Sequence, residues 1–239
     1  MDAQELLNAL LKQNSPDSDL YVQYRPDFDR DYKRFLNSHV LHELWLRGVE
    51  LNNIGDLNRL YFLYANILSI VDRGVPGAFA ELGVYKGNSA KLFHTLAPDR
   101  LLYLLDTFEG FPDQDILKVP ENYSKFDDSS LDYVQKFIGN SENIIYCVGR
   151  FPETAGMIPE SLAFALVHLD CDLYEPIKAG LEFFYPRLSP GALMIIHDYY
   201  SGCWPGVPKA VDEFFANKPE NLVHMPDKSG SAVISKNNF

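Results

Sequence analysis

From about residue 73 onward, short apolar runs alternate with helical stretches. The runs are Gly77–Leu82, Leu101–Leu105, Asn143–Val148, Leu162–Leu169 and Ala192–Ile196. Their near-continuous apolarity predicts strands buried on both faces of a parallel sheet. Between them, Ala90–Leu96, Leu131–Ile138, Pro176–Tyr185 and Lys209–Phe215 carry helical spacing. Strand and helix in alternation predict a doubly wound α/β fold. Before residue 73 the pattern is helical. Leu57, Leu60, Tyr61, Tyr64, Ile67, Leu68 and Val71 recur at three- and four-residue steps, with Asp56 placed as an N-cap. Tyr32, Phe35, Leu36, Val40 and Trp45 suggest an earlier helix, and Asp72-Arg73-Gly74-Val75-Pro76-Gly77 is a stop signal. At the other end, Asn221–Met225 and Ser231–Ser235 flank Asp227–Gly230, which predicts an antiparallel hairpin.

Composition narrows the function. A chain of 239 residues with 46% hydrophobic and 13% aromatic residues can bury a substantial core. A formal charge of −12 argues against a nucleic-acid backbone or an anionic membrane as the main partner. Cys147, Cys171 and Cys203 form no C-x-x-C pair, which fits a reducing, cytoplasmic setting. The acidic N-terminus is not a signal-peptide pattern, and no apolar run approaches the roughly 20 residues of a membrane span. The Asn122-Tyr123-Ser124 sequon is accordingly read as incidental. Homo-oligomerisation is left open.

In parallel α/β sheets, ligands bind beyond the carboxyl ends of the strands. The residues there are Glu81 with a glycine turn, Asp106, Gly149-Arg150-Phe151, Asp170-Cys171-Asp172, and His197-Asp198. An acid at one strand end is ordinary turn chemistry; recurrence along one edge points to a site. The stretch FAELGVYKGNSA, residues 79–90, reads as strand, glycine turn and helix start. It makes Glu81, Gly83, Val84, Tyr85, Gly87, Asn88 and Ser89 the candidate cradle of a nucleotide-like cofactor. The third glycine of a dinucleotide fingerprint is missing, which disfavours a pyrophosphate. A cofactor with an amine, a carboxylate and a ribose suits the loop better. S-adenosylmethionine has those groups. Ser89 and nearby backbone N–H groups would hold its carboxylate, and Asp106, nineteen residues beyond Gly87, its ribose diol.

ELGVYKGNSA, LLDTFEGFPD, LDCDLYEP, and LSPG followed by HDYY resemble the macrocin O-methyltransferase family, over roughly residues 50–239. That resemblance implies a class I, Rossmann-like sheet of seven strands with the last hairpin reversed. It implies an S-adenosylmethionine-binding catalytic domain over residues 73–239 and a helical cap over residues 1–72. The implied acceptor is a hydroxyl of a small molecule or glycoside. The family also implies a divalent metal, usually Mg²⁺, on an Asp after the fourth strand and an Asp pair after the fifth. Asp170 and Asp198 match that pattern, and Asp172 matches a proposed general base. Gly149, Arg150, Phe151 and Asp170, read at the ends of the third and fourth strands, complete the candidate cofactor set. His197 stands where the family has the first Asp of the pair.

His197 carries three readings at this stage. It is a metal ligand that shifts preference toward Mn²⁺, Fe²⁺ or Zn²⁺, a metal-free general base, or a structural strand-end residue. Other constellations are weaker. Tyr174-x-x-x-Lys178 matches a short-chain dehydrogenase pair but lacks that family's glycine loop, leaving an NAD(P)-dependent reductase as the alternative enzyme. A catalytically silent cofactor-binding protein is the alternative outside enzymes. His39 and His42 fit one face of a helix, no G-x-S-x-G elbow appears, and Trp204 and Pro205 are loop residues that could line a substrate pocket.

Overall fold

The computed structural model describes Glu5, Trp45 and residues 56–237, apart from residues 117 and 120–123. The early helix expected around Tyr32–Val40, His39, His42 and the sequon asparagine lie outside the described residues. Seven strands form one sheet: β1 (Ala78–Leu82), β2 (Leu102–Asp106), β3 (Ile144–Val148), β4 (Phe164–Leu169), β5 (Leu188–Ile196), β6 (Val223–His224) and β7 (Ala232–Ser235). Their order is β3-β2-β1-β4-β5-β7-β6. The first five are mutually parallel, β7 runs antiparallel to β5, and β6 antiparallel to β7. This is the seven-stranded α/β sheet with a reversed final hairpin. Helices α1 (Leu57–Asp72), α2 (Asn88–Leu96), α3 (Asp113–Ile116), α4 (Leu131–Ile138), α5 (Tyr174–Phe184) and α6 (Gly206–Phe215) connect and cover it.

Alternation along the strands assigns the two faces. Glu81 and His168 are register partners on β1 and β4 and meet Ser89 and Phe93 of α2. The neighbouring pair Leu82 and Leu169 points the other way, onto Gly180 of α5. Helix α1 sits on the α2 face, since Arg59 reaches His168. Leu60, Leu63, Tyr64, Ile67 and Ile70 of α1 are buried in the same core as the strands. The part of the N-terminal unit that is described therefore shares one core with the sheet. Among the described residues, no helix is long and apolar enough to cross a membrane.

Backbone bonds beyond the strands align the carboxyl edge. Gly83 N donates to Leu105 O, Asp170 N to Leu82 O, His197 N to Leu169 O, and Gly149 N to Asp106 O, all at 2.8–2.9 Å. The strand-end residues of four strands are thus fixed along one rim.

Candidate active site

A cavity of about 630 Å³ opens along that rim, within the range typical of small-molecule sites. Gly83, Val84, Tyr85, Asn88, Ser89, Asp106, Gly149, Arg150, Phe151, Asp170, Asp172, His197 and Asp198 all border it. Glu81 and Gly87 do not. Glu81 is fully buried beneath the cradle. Gly87 is the N-cap of α2 at φ 84°, and a Cβ there would face Val134 and Ile138 of α4. Its freedom serves the turn and helix packing.

The cradle is organised by Asp106. One oxygen accepts from Val84 N (2.6 Å) and Tyr85 N (2.9 Å), and the other from Phe108 N (2.8 Å). The amides of Val84 and Tyr85 are therefore taken by Asp106. The Ser89 hydroxyl donates to Glu81 at 2.5 Å. At the start of α2 stand the first-turn N–H groups, which have no acceptor within the helix, and Asn88, whose Nδ2 is buried without a hydrogen-bond partner.

The acceptor side is a cluster of acids and cations. Asp170 accepts from Arg59 Nη2 at 2.7 Å through Oδ2, and its Oδ1 lies 2.9 Å from His197 Nδ1. The same Nδ1 lies 2.7 Å from Asp198 Oδ2. His197 Nε2 is buried and unpartnered. Burial and Arg59 oppose a proton on His197, but Asp170 and Asp198 outweigh them and raise its pKa to about 10. Burial also opposes ionisation of Asp170, yet His197 and Arg59 hold it well below the carboxylate range. Asp172 moves the other way: burial, then the charges of Asp198 and Asp170, push it well above that range. Neighbouring carboxylates with opposed shifts are a mark of functional chemistry.

Backbone strain gathers at the same place. The non-glycine residues with positive φ among those described are Tyr85, Phe108, Phe126, Asp172 and Asp198. Four border the cavity, and Phe108 lies in the loop after β2. Such conformations cost about 1–3 kcal/mol each and cluster at functional sites.

Asp170, His197 and Asp198 can each turn one ligand atom to within 4.8 Å of the others. Two carboxylates and an imidazole fit a divalent first-row ion. In the absence of an ion, a proton on Nδ1 serves the same bridging purpose.

Several site residues escape a reading of strand ends. Arg59 comes from α1, and it is the only charged residue between Leu57 and Val71. A lone charge in a buried helix was the available signal. Asp115 of α3 accepts from Arg150 Nε at 2.8 Å and from Lys118 Nζ at 2.9 Å. Phe111, Phe126 and Trp204 form an aromatic wall, with ring centroids 5.6–6.5 Å apart.

The sequence profile of macrocin-O-methyltransferase (TylF) matches residues 48–227. The chain belongs to the macrocin-O-methyltransferase family. It is a methyltransferase of the S-adenosylmethionine-dependent class. The mycinamicin III 3''-O-methyltransferase of Micromonospora griseorubida is 28% identical over 176 residues, 66% of this chain and 68% of that one. An 8-demethyl-8-(2,3-dimethoxy-alpha-L-rhamnosyl)-tetracenomycin-C 4'-O-methyltransferase of Streptomyces olivaceus is 28% identical over 173 residues, 60% of each chain. The chain thus spans between three fifths and about two thirds of these relatives' lengths. Among solved structures, the O-methyltransferase NovP superposes with a TM-score of 0.64 at 24% identity, covering 76% of this chain and 81% of its own. The calicheamicin methyltransferase CalS11 gives 0.60 at 22%, covering 90% and 95%. Both share the fold.

Proposed function

We propose that this protein transfers a methyl group from S-adenosylmethionine to a hydroxyl of a sugar on a natural product or related glycoside, with a divalent ion held by Asp170, His197 and Asp198. One observation carries this. A single cavity joins the Gly83–Ser89 cradle to three convergent ligand side chains on adjacent strand ends. The relatives named above, enzymes that methylate glycosylated natural products, support the acceptor class.

S-adenosylmethionine supplies an electrophilic methyl on a sulfonium. The ion supplies Lewis acidity that lowers the pKa of a bound hydroxyl. The chain's own residues do the rest. Asp106 clamps the cradle through three amides, so the loop is set before cofactor arrives. Asn88 Nδ2, buried and unpartnered, would donate to the cofactor's carboxylate together with the N–H groups at the N-terminus of α2. Gly149, Arg150 and Phe151 wall the far end, where Arg150 is held by Asp115. Asp172 would take the hydroxyl proton once ionised: burial, Asp198 and Asp170 disfavour its charge, and the positive charge of a nearby ion would offset them. Phe111, Phe126 and Trp204 face the same cavity and suit the apolar face of a sugar.

Geometry also favours a second role for His197. With its Nδ1 between two carboxylates and its Nε2 free, protonated His197 can donate to the acceptor oxygen without an ion. A metal-free base is disfavoured, because a group with a pKa of about 10 is protonated at neutral pH. Methyl transfer to a panel of deoxyhexose glycosides, after exhaustive chelation and again with Mg²⁺ or Mn²⁺ restored, separates the two. Turnover that needs the ion supports the metal. Full turnover in chelator, with no metal by elemental analysis, overturns it.

A further inference from the structure

Between the cradle and the acids lies a chain of buried polar contacts that neither side requires by itself. Ser89 Oγ donates to Glu81 Oε1 at 2.5 Å, and His168 Nδ1 lies 2.8 Å from the same oxygen. Glu81 and His168 are both fully buried within an otherwise apolar pair of strands. A guanidinium can only donate, so the His168 Nε2 beside Arg59 accepts and the ring proton sits on Nδ1, facing Glu81. Arg59 Nη2 stands 3.3 Å from that Nε2 and 2.7 Å from Asp170 Oδ2. A guanidinium Nη2 has two N–H groups, and these two acceptors take both. Asp170 then meets His197 through its remaining oxygen.

The backbone of Arg59 is anchored too, while its side-chain Nε is buried without a partner. Its backbone N–H donates to Asp56 Oδ1 at 3.1 Å, capping α1. The other Asp56 oxygen takes Lys228 N at 2.6 Å, in the β6–β7 turn that borders the cavity. The side chain is only 8% exposed. Burying a guanidinium is costly unless it is paired, so packing of α1 does not account for an arginine here.

We propose that Arg59 is a positioning residue: it fixes the carboxylate of Asp170 with one oxygen turned to His197, and joins the acceptor side of the site to the Glu81–His168 pair beneath the cofactor cradle. Helix α1 is then a working wall of the active site. The catalytic part of this inference rests on the methyltransferase reading; the geometric part does not.

Two variants test it. Arg59→Met keeps the apolar stem and removes the charge, whereas Arg59→Lys keeps a charge that can reach Asp170. Ring-nitrogen NMR of ¹⁵N-histidine protein, without cofactor, reads the geometry. Arg59→Met should move the resonances of both His168 and His197, although Arg59 touches only the first. Arg59→Lys should return His197 toward its wild-type position. Methyl transfer to the panel acceptor should fall roughly 10²-fold in kcat for Arg59→Met, the usual cost of about 1 Å of misplacement. KM for S-adenosylmethionine should stay within about threefold, with partial recovery in Arg59→Lys. Unmoved His197 resonances in a folded Arg59→Met protein overturn the proposal. So does a Met variant at least as active as the Lys variant, which would mean a packing role. Failure of wild-type protein to bind S-adenosylhomocysteine would instead overturn the methyltransferase reading and leave the NMR result standing.

Discussion

Gly83→Ala is the most informative single substitution in the cradle. Gly83 has φ +88°, and a Cβ built on it would lie 1.9 Å from the carbonyl oxygen of Asp170 and 2.5 Å from its carbon. Cβ contacts below 3.0 Å are essentially never found, so β1 and the end of β4 must part by at least 1.1 Å (3.0 minus 1.9). A side chain here therefore meets the backbone of Asp170 as well as a left-handed backbone angle. The left-handed backbone costs roughly 1–2 kcal/mol and the overpacking about 1–3 kcal/mol, together about 2–5 kcal/mol. For a chain of this size that lowers Tm by roughly 4–20 °C. Gly87→Ala is the control. Its φ of +84° carries a similar backbone cost, but the nearest atoms are side-chain ends of Val134 and Ile138 at 3.1–3.3 Å, which can yield. Its loss should stay near 1–2 kcal/mol, about 2–8 °C. Calorimetry should show S-adenosylhomocysteine binding weakened at least tenfold by Gly83→Ala and much less by Gly87→Ala. Thermal melts and titrations read both effects. A Gly83→Ala protein with wild-type Tm and affinity, or a more damaging Gly87→Ala, would refute the reasoning.

Three further outcomes follow from the same geometry. Asp106→Ala should weaken S-adenosylhomocysteine by about 1.5–3 kcal/mol, the scale of a hydrogen bond to a charged group, and also lower Tm, because Val84, Tyr85 and Phe108 lose their acceptor; calorimetry and melts on one sample check it. In chelated protein, a His197 pKa raised from 6.5 to about 10 gives stability that is full below about pH 6.5 and lost as pH climbs toward 10, so Tm should fall over that window, and less steeply in His197→Gln. Because an ion must displace the His197 proton, Mn²⁺ affinity should rise up to about tenfold per pH unit between pH 7 and 9, read by competition titration, while His197→Asp should flatten that rise and favour Mg²⁺; a pH-independent affinity in wild type would remove His197 from the ligand set.

What the sequence reveals follows from where the forces act. Strands β1, β2 and β4 are legible because burial on both faces leaves unbroken apolar runs; the edge strand β3 is only partly buried but is apolar throughout, and α4 is found at its predicted bounds, capped by Ser130. β5 begins earlier than expected, at Leu188, because Ser189-Pro190-Gly191 reads as a turn. In the fold, Gly191 N instead donates to Lys236 O beside β7. The four-residue α3 and the short 3-10 turn at Glu153–Met157 are too brief to leave a period. Strand-end acids are legible because topology alone brings them to one rim. The Glu81–His168 pair is not, since its register is fixed only when β1 and β4 pair. Nor is the part played by Arg59, which depends on how α1 lies against the sheet.

The central claim is that the rim cavity binds S-adenosylmethionine. Isothermal titration of the wild-type protein with S-adenosylhomocysteine, alongside NADH, tests it most directly. Saturable one-to-one binding of S-adenosylhomocysteine and none of NADH is expected. Binding of NADH without S-adenosylhomocysteine would contradict it.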